Sequence, residues 1–420
     1  MVLKNIDNKG FTTRVIHTQY AKKDAFNALQ VPVYENVAFE FDTAEQMSDA
    51  FLGLSSDHTY SRITNPTVAN FEQRICNITK ALSVTALNSG MAAISNTFIE
   101  LAYCGANIVS SPHLFGNTYS FFKSTLSSFG VEIRFCDFTN PKEVEASIDE
   151  NTCAVFLEIL TNPHLEVADL AAISSITKLK KVPLVADTTV IPFVCFDAKE
   201  FGIDIELVSS TKYLSGGGTG LGGLIIDYGT FDWKNSKKLE PITSQFGKMS
   251  FTAKLRKEIH RNLGAYMSPH AAYMQSLGLE TLEIRYARSS SSCLKIATEL
   301  QSYVNIKAVN YTGLKNNRFF ELSSAQFGEF PGAMLTFCLE SKEICFKFLN
   351  NLKFIKRATN LFDNRSLIIH PASTIYGTFT DAQRHEMAID DTLIRFSVGL
   401  EDPQDLLLDI QQALKAVYGN

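Results

Sequence analysis

The chain has no run of about eighteen apolar residues, the length a bilayer-spanning helix needs, and its opening, "MVLKNIDNKGFTTRVIH", holds no apolar stretch of signal-peptide length. It carries no strong excess of either charge. The 39 Lys and Arg against 44 Asp and Glu leave −5, nothing that would draw a nucleic acid or an anionic membrane. Eight cysteines (Cys76, Cys104, Cys136, Cys153, Cys195, Cys293, Cys338 and Cys345) include no C-x-x-C pair, which argues against a zinc site and against the disulfide framework of secreted proteins. No period of about 20 to 50 residues recurs, and no low-complexity segment appears. The expectation is a soluble, cytoplasmic chain with reduced thiols, no bound metal, and no nucleic-acid or membrane partner.

What is present is a length of 420 residues, beyond the size at which one core usually stops growing, so two domains are expected. "LQVPVYENVAFEF" (29–41) is extended, without helical period, and reads as an arm that crosses to another subunit. From "NPTVANFEQRICNITK" onward, helical segments alternate with short apolar runs: "ALSVTAL", "ANIVSSP", "VEIRFCD", "TCAVFLEIL", "VPLVAD", "IELVSS" and "GGLIID". Such Val- and Ile-rich runs, separated by helix-length stretches, predict a parallel sheet wound in βα units. Residues 228–262 read as polar and irregular, and "PHAAYMQSLGLETLEIRYARSSSSCLKIATELQSYV" as one or two long helices. Beyond it, "AMLTFCLE", "SLIIHPAS" and "LIRFSVGL" return to strand-like runs mixed with helices, which predicts a smaller α+β domain.

The densest motif is "LVSSTKYLSGGGTGLGG". Gly218, Gly220 and Gly223 satisfy G-x-G-x-x-G, but that fingerprint must follow a strand and open a helix, and here a strand follows the glycines. Nor is it a P-loop, because the lysine precedes the glycines. There remains Lys212, between an apolar strand and a stretch where backbone can approach closely. A desolvated lysine has a lowered pKa and attacks carbonyls to form a Schiff base. Pyridoxal phosphate is therefore the candidate cofactor, and it makes three further demands. Its phosphate wants the N–H groups of a helix N-terminus, offered by Gly90 and Met91 in "LNSGMAAISNTF". Its pyridine nitrogen wants a carboxylate, offered by Asp187 at the end of "KVPLVAD". Its ring face wants an aromatic platform, offered by Phe115. Taken singly, an S-G pair is a plain N-cap and a strand-end Asp a turn residue. Together and in order they form a set.

At these residues the chain resembles the pyridoxal-phosphate enzymes of cysteine and methionine transsulfuration, with "YSRITNPT", "NSGMAAI", "TNPHLEVADL", "SSTKYLSGGGTGLGG" and "IRFSVGLEDPQDLLLDI" as its motifs in order. The resemblance implies a type I aminotransferase-like α/β fold: an N-terminal arm (1–60) touching the neighbouring subunit, a large cofactor domain (61–264) with a mostly parallel sheet, and a smaller α+β substrate domain (265–420). It implies that Lys212 carries the Schiff base and shuttles protons, and that Asp187 pairs with the pyridinium. Ser89, Gly90, Met91, Ser209 and Thr211 would hold the phosphate, and Phe115, Glu158, Asn162 and Thr189 would surround the ring. Tyr60 and Arg62 would complete the phosphate site of the neighbouring subunit, giving a dimer with shared sites and, by pairing, a tetramer. Arg395, helped by Asn360, would clamp the substrate α-carboxylate.

Within the family, Thr219, where lyases and cystathionine synthases have Asp, "YGTFDWKNSKK", "NLGAYMSPHAAYMQSLGLETLEIR" and "SLIIHPAST" lean toward the O-acetylhomoserine sulfhydrylases. That implies γ-replacement by sulfide or a small thiol in methionine biosynthesis, giving homocysteine or methionine. The alternatives are a γ-lyase releasing 2-oxobutanoate, a cystathionine γ-synthase, or a non-catalytic cofactor-binding paralogue. Several residues depart from the family pattern. Phe115 stands where Tyr is usual, keeping the stack and losing the hydroxyl; Asp187-Thr188-Thr189 replaces D-N-T; Gly216-Gly217-Gly218 replaces G-H-G; and Phe362 stands where sulfhydrylases have Gly. Asn117 lies where methionine-cleaving members have Cys, which counts against that alternative.

Overall fold

The computed structural model describes residues 9–18, 24, 26–329 and 331–419. All seven apolar runs read from the sequence become the strands of one sheet: β1 (Ser83–Leu87), β2 (Asn107–Ser110), β3 (Glu132–Phe135), β4 (Thr152–Glu158), β5 (Leu184–Asp187), β6 (Ile205–Val208) and β7 (Gly223–Asp227), in the order β1-β7-β6-β5-β4-β2-β3. Nearly every residue of β1, β2 and β4 to β7 is buried, as expected when helices cover both faces.

The sheet is mostly parallel, as expected, and β7 is the exception. β7 runs antiparallel to both β6 and β1. A parallel return needs a crossover of a dozen or more residues, usually a helix. Between β6 and β7 there is only the lysine–glycine loop with a single 3₁₀ turn, Tyr213–Ser215, so the chain doubles back. Because β1 opposes β7 and β7 opposes β6, β1 again points the same way as β6. The carboxyl ends of β1, β4, β5 and β6 therefore meet at one edge.

The second sheet comprises β8 (Ala308–Asn310), β9 (Met334–Cys338), β10 (Lys356–Arg357), β11 (Leu367–Ile369) and β12 (Leu393–Ser397), in the order β10-β11-β12-β9-β8. It is antiparallel except for β10 on β11. One apolar core spans both sheets, holding Val155, Leu184 and Ile226 of the first and Leu335, Phe337 and Ile394 of the second, and a separate one gathers Leu87, Ile108, Phe156 and Ile225 of the large sheet.

Residues 228–262 are not irregular. They form successive helical turns, and Ser250–Lys254, Leu255–His260 and Arg261–Leu263 make one continuous helix with a π turn at its centre. Phe251, Leu255 and Ile259, spaced by four, line its buried face; the charged residues between them mask this period in the sequence. The long helical stretch is two helices, Pro269–Glu280 and Leu282–Leu300. In the N-terminal part, Phe11–His17 is a short helix whose Phe11 and Val15 join the main core. Residues 29–41 are extended, apart from a bridge between Ala38 and Tyr60. Among the described residues no helix is long and apolar enough to cross a membrane.

Candidate active site

The carboxyl edge of the large sheet opens into a cavity of about 790 Å³. Thirteen of the fifteen residues singled out from the sequence line it: Ser89, Gly90, Met91, Phe115, Glu158, Asn162, Asp187, Thr189, Ser209, Thr211, Lys212, Asn360 and Arg395. They arrive from separate elements. Ser89 caps the helix Gly90–Leu101 that follows β1, its hydroxyl accepting the Ala92 N–H at 3.1 Å. Glu158 and Asp187 end β4 and β5 side by side, paired in register. Ser209, Thr211 and Lys212 follow β6, Asn360 follows β10, and Arg395 lies within β12.

The glycines answer two geometric needs. Gly216, Gly217 and Gly218 have φ of 75°, 129° and 70°, a left-handed run that side chains rarely adopt. Gly90 serves close approach: a Cβ there would lie 2.7 Å from the Ser209 Cβ. The helix N-terminus thus comes directly against the Ser209–Thr211 loop. That loop is itself pinned, because the Ser209 N–H donates to Thr189 Oγ1 at 2.8 Å and the Gly222 N–H donates to Thr211 Oγ1 at 3.0 Å.

Lys212 Nζ donates to Asn360 Oδ1 at 2.8 Å. Burial, reinforced by the Arg395 charge and opposed by Asp187, pushes its amine down to about 8. Asp187 is pushed up by burial, although its Oδ1 accepts the Thr189 N–H at 2.8 Å. Glu158 is pushed up to about 8 by burial and by Asp187 beside it, while its two oxygens accept the N–H groups of Phe115 (2.6 Å) and Asn162 (3.2 Å). Arg395 is 2% exposed, and its guanidinium donates to Asn162 Oδ1 (3.1 Å) and the Thr359 carbonyl (3.2 Å). Among the described residues it forms no ion pair. A buried guanidinium with only neutral acceptors is a receptor for an anion.

Tyr60 and Arg62 lie elsewhere. Arg62 sits 5.5 Å from the Tyr60 ring, donates to the Arg261 carbonyl, and borders a second, smaller cavity of about 230 Å³ with Arg256 and His260. Neither lines the lysine cavity. The sequence reading missed Tyr376, which is fully buried and whose hydroxyl lies 3.2 Å from the Leu114 carbonyl and 3.1 Å from that of Asn162. It also missed Thr359, which contributes only its carbonyl. Neither has a spacing signal that sets it apart.

The donor set fits pyridoxal phosphate. The cleft that a Cβ on Gly90 would fill joins helix N–H groups to two hydroxyls, a carboxyl ends the adjacent strand, and a desolvated amine faces the same space. A scan against protein-family models agrees: the Cys/Met metabolism PLP-dependent enzyme family matches residues 12–415. The chain is 31% identical to the O-acetyl-L-homoserine sulfhydrylase of Corynebacterium glutamicum over 98% of each protein. It is 34% identical to the L-methionine gamma-lyase of Pseudomonas deceptionensis, also over 98% of each. A solved structure of the O-acetylhomoserine sulfhydrylase of Wolinella succinogenes superposes with a TM-score of 0.75 at 44% identity, covering 84% of this chain and 99% of that one. With its sheet edge, its lysine and its family match all in agreement, the chain belongs to the Cys/Met metabolism PLP-dependent enzymes.

Proposed function

We propose that the protein catalyses γ-replacement on O-acetylhomoserine, with sulfide or a small thiol displacing acetate to give homocysteine or methionine. The observation that carries this choice is Phe115, a ring without a hydroxyl on the cavity wall. A carboxylate leaves without needing a proton, because carboxyl groups ionise near about pH 4; a thiolate, whose acid ionises near about 8.5, needs a donor. A wall lacking the phenol therefore suits an ester better than a thioether.

Pyridoxal phosphate, when bound, supplies an electron sink for the charge left at the substrate Cα. The N–H groups of Gly90 and Met91, with Ser89, Ser209 and Thr211, would hold its phosphate, and Asp187 would pair with its ring nitrogen. Phe115, Glu158, Asn162 and Thr189 shape the ring's surroundings. Arg395, fixed by Asn162 and Thr359, takes the α-carboxylate as a two-pronged fork, with Asn360 beside it. Lys212, substantially neutral near its pKa of about 8, takes a proton from Cα, passes it on and takes one from Cβ; after acetate has left and sulfur has added at Cγ, a proton returns to each of these two carbons. No other lining side chain combines a pKa near neutrality with a basic nitrogen.

We assign residues 1–60 to the arm, 61–264 to the cofactor domain and 265–420 to the substrate domain. The arm exposes Phe26, Leu29, Val37, Leu52 and Leu54, apolar surface that suits a second copy of the chain. With Tyr60 and Arg62 outside the lysine cavity, this supports a dimer that shares sites; pairing of dimers into a tetramer is part of the same proposal and rests on the family resemblance alone. The eight free cysteines suit a reducing cytoplasm.

The second reading is γ-elimination to 2-oxobutanoate, for which the lyase relative speaks. The test is turnover of O-acetylhomoserine with and without sulfide, following homocysteine and 2-oxobutanoate together. Homocysteine only when sulfide is present is expected; oxo acid dominating in both arms overturns replacement in favour of elimination.

A further inference from the structure

The loop at 359–364 lies along the lysine–glycine loop 212–218 and meets it at four points. Asn360 receives Lys212 Nζ, the Phe362 ring lies flat on Tyr213 (centroids 4.1 Å apart, 10° between planes), and Asn364 Nδ2 donates to the Gly216 carbonyl at 2.9 Å. At the fourth, Asp363 Oδ2 and Asn360 Nδ2 occupy the space a Cβ on Gly218 would need, 2.5 and 3.2 Å from it. At the loop's other end the Thr359 carbonyl accepts from Arg395. One short segment therefore touches both the amine and the guanidinium.

Phe362, at its centre, has φ of 54°. A bulky side chain rarely keeps a left-handed backbone unless its surroundings over-determine it. Two things hold it there. Its N–H donates to Ser397 Oγ at 2.8 Å, two residues beyond Arg395 on β12. Its ring is 2% exposed against Tyr213, which is anchored in turn where its hydroxyl oxygen accepts the Ala333 N–H at 3.1 Å and where its ring meets the edge of Tyr286 at 5.3 Å. Tyr213 is the residue after Lys212, so the stack grips the chain next to the reactive amine.

We propose that Phe362 is a positioning residue: its stack on Tyr213 latches the 359–364 loop and so sets the separation of the Lys212 amine from the Arg395 guanidinium, the span an amino-acid substrate must bridge. This rests on the roles given above to Lys212 and Arg395. Without the ring the backbone relaxes out of its left-handed conformation, Asn360 and Thr359 let go together, and water reaches Nζ between Asp187 and Arg395, the charged groups that face it.

The test uses cofactor-free full-length protein given pyridoxal phosphate and borohydride at a series of pH values, with the trapped peptide identified by mass. Wild type is expected to trap at Lys212 with a midpoint near 8. Phe362→Leu, which keeps apolar bulk without a ring, and Phe362→Gly, which accepts the φ freely, are both expected to raise the midpoint by a unit or more toward 10.5. Both are also expected to raise the KM for the amino acid at least tenfold, with a smaller change in kcat. Variants that only lose thermal stability, keeping the midpoint and KM, overturn the proposal and leave Phe362 as core filling. If neither variant folds, hydrogen exchange on the wild type decides: amides 359–364 and 213–218 exchanging as one unit support the latch, and unrelated rates overturn it. A trapped peptide lacking Lys212 would instead overturn the reading of the lysine beneath it.

Discussion

Replacing Arg395 by methionine separates a guanidinium held for substrate from one held for the fold. Arg395 is 2% exposed and makes two hydrogen bonds, to Asn162 Oδ1 and to the Thr359 carbonyl. Burying such a cation without a counter-charge costs several kcal/mol even after relaxation. Its two hydrogen bonds return about 1.5–3 kcal/mol each. Methionine removes the cation, its desolvation cost and both bonds together, several kcal/mol regained against about 3–6 kcal/mol lost. The terms nearly cancel, so the cofactor-free variant is expected to unfold in urea within about 2 kcal/mol of wild type. Turnover behaves differently. Losing the partner of a buried carboxylate costs about 2–5 kcal/mol, roughly 30- to 4000-fold in kcat/KM. The Lys212 midpoint is also expected to rise above about 8, since a like charge beside the amine has gone. Destabilisation beyond about 4 kcal/mol, or kcat/KM retained within a factor of three, would refute the assignment.

Three further expectations follow from the same geometry. Gly90→Ala places a Cβ 2.7 Å from that of Ser209; overpacking of about 1–3 kcal/mol at the phosphate cleft should weaken pyridoxal phosphate about 5- to 150-fold by fluorescence titration, whereas Gly220→Ala, whose Cβ meets nothing nearer than 3.7 Å, should bind normally. Phe115→Tyr should raise elimination from methionine at least tenfold while leaving turnover of the acetyl ester within about twofold, both measured as kcat/KM, because only the thiolate needs a proton. Glu206, buried and pushed up to about 7 chiefly by desolvation, holds its proton more tightly folded than unfolded, so the contribution favouring folding is present below about 4.5 and lost as pH rises to about 7. Urea midpoints should reflect this, and Glu206→Gln should flatten that slope and stabilise the protein by about 2–3 kcal/mol at pH 8 if Tyr228 and Thr188 keep their bonds.

Six of the seven strands of the large sheet were legible because each is a short, nearly continuous apolar run that is buried; β3, Glu132–Phe135 at the sheet edge, is only partly buried. Direction was less legible. Nothing in "GGLIID" says which way it runs; that follows from the brevity of the loop before it. The helix Ser250–Leu263 was hidden because exposed charges interrupt its apolar stripe, and β8 and β10, three and two residues long, are too short to show a period. At the candidate site, residues with side chains of distinctive chemistry could be read from the sequence as a group that lines one cavity, among them Lys212, Asp187, Asn162 and Arg395. Those that act through shape or backbone could not. Tyr376 is one tyrosine among fourteen until its hydroxyl is seen between two carbonyls, and Thr359 serves through an atom every residue has. The glycine run was legible as a place of close approach, but the loop 359–364 that fills it was visible only in three dimensions.

The reversal at β7 has a bearing on the order in which the site assembles. β6 and β7 form a hairpin, with Val208 opposite Leu224 and Ile205 opposite Asp227, and Lys212 rides in its tip. Closing a short loop has a small entropic cost and proceeds early, while contacts remote in sequence come late. Asn360 lies 148 residues from the lysine it touches, and Arg395 lies 233 residues from Asn162. During synthesis the hairpin that carries Lys212 can close while the ribosome is still making the segments that hold Asn360 and Arg395, so the amine is in place before the partner it meets there.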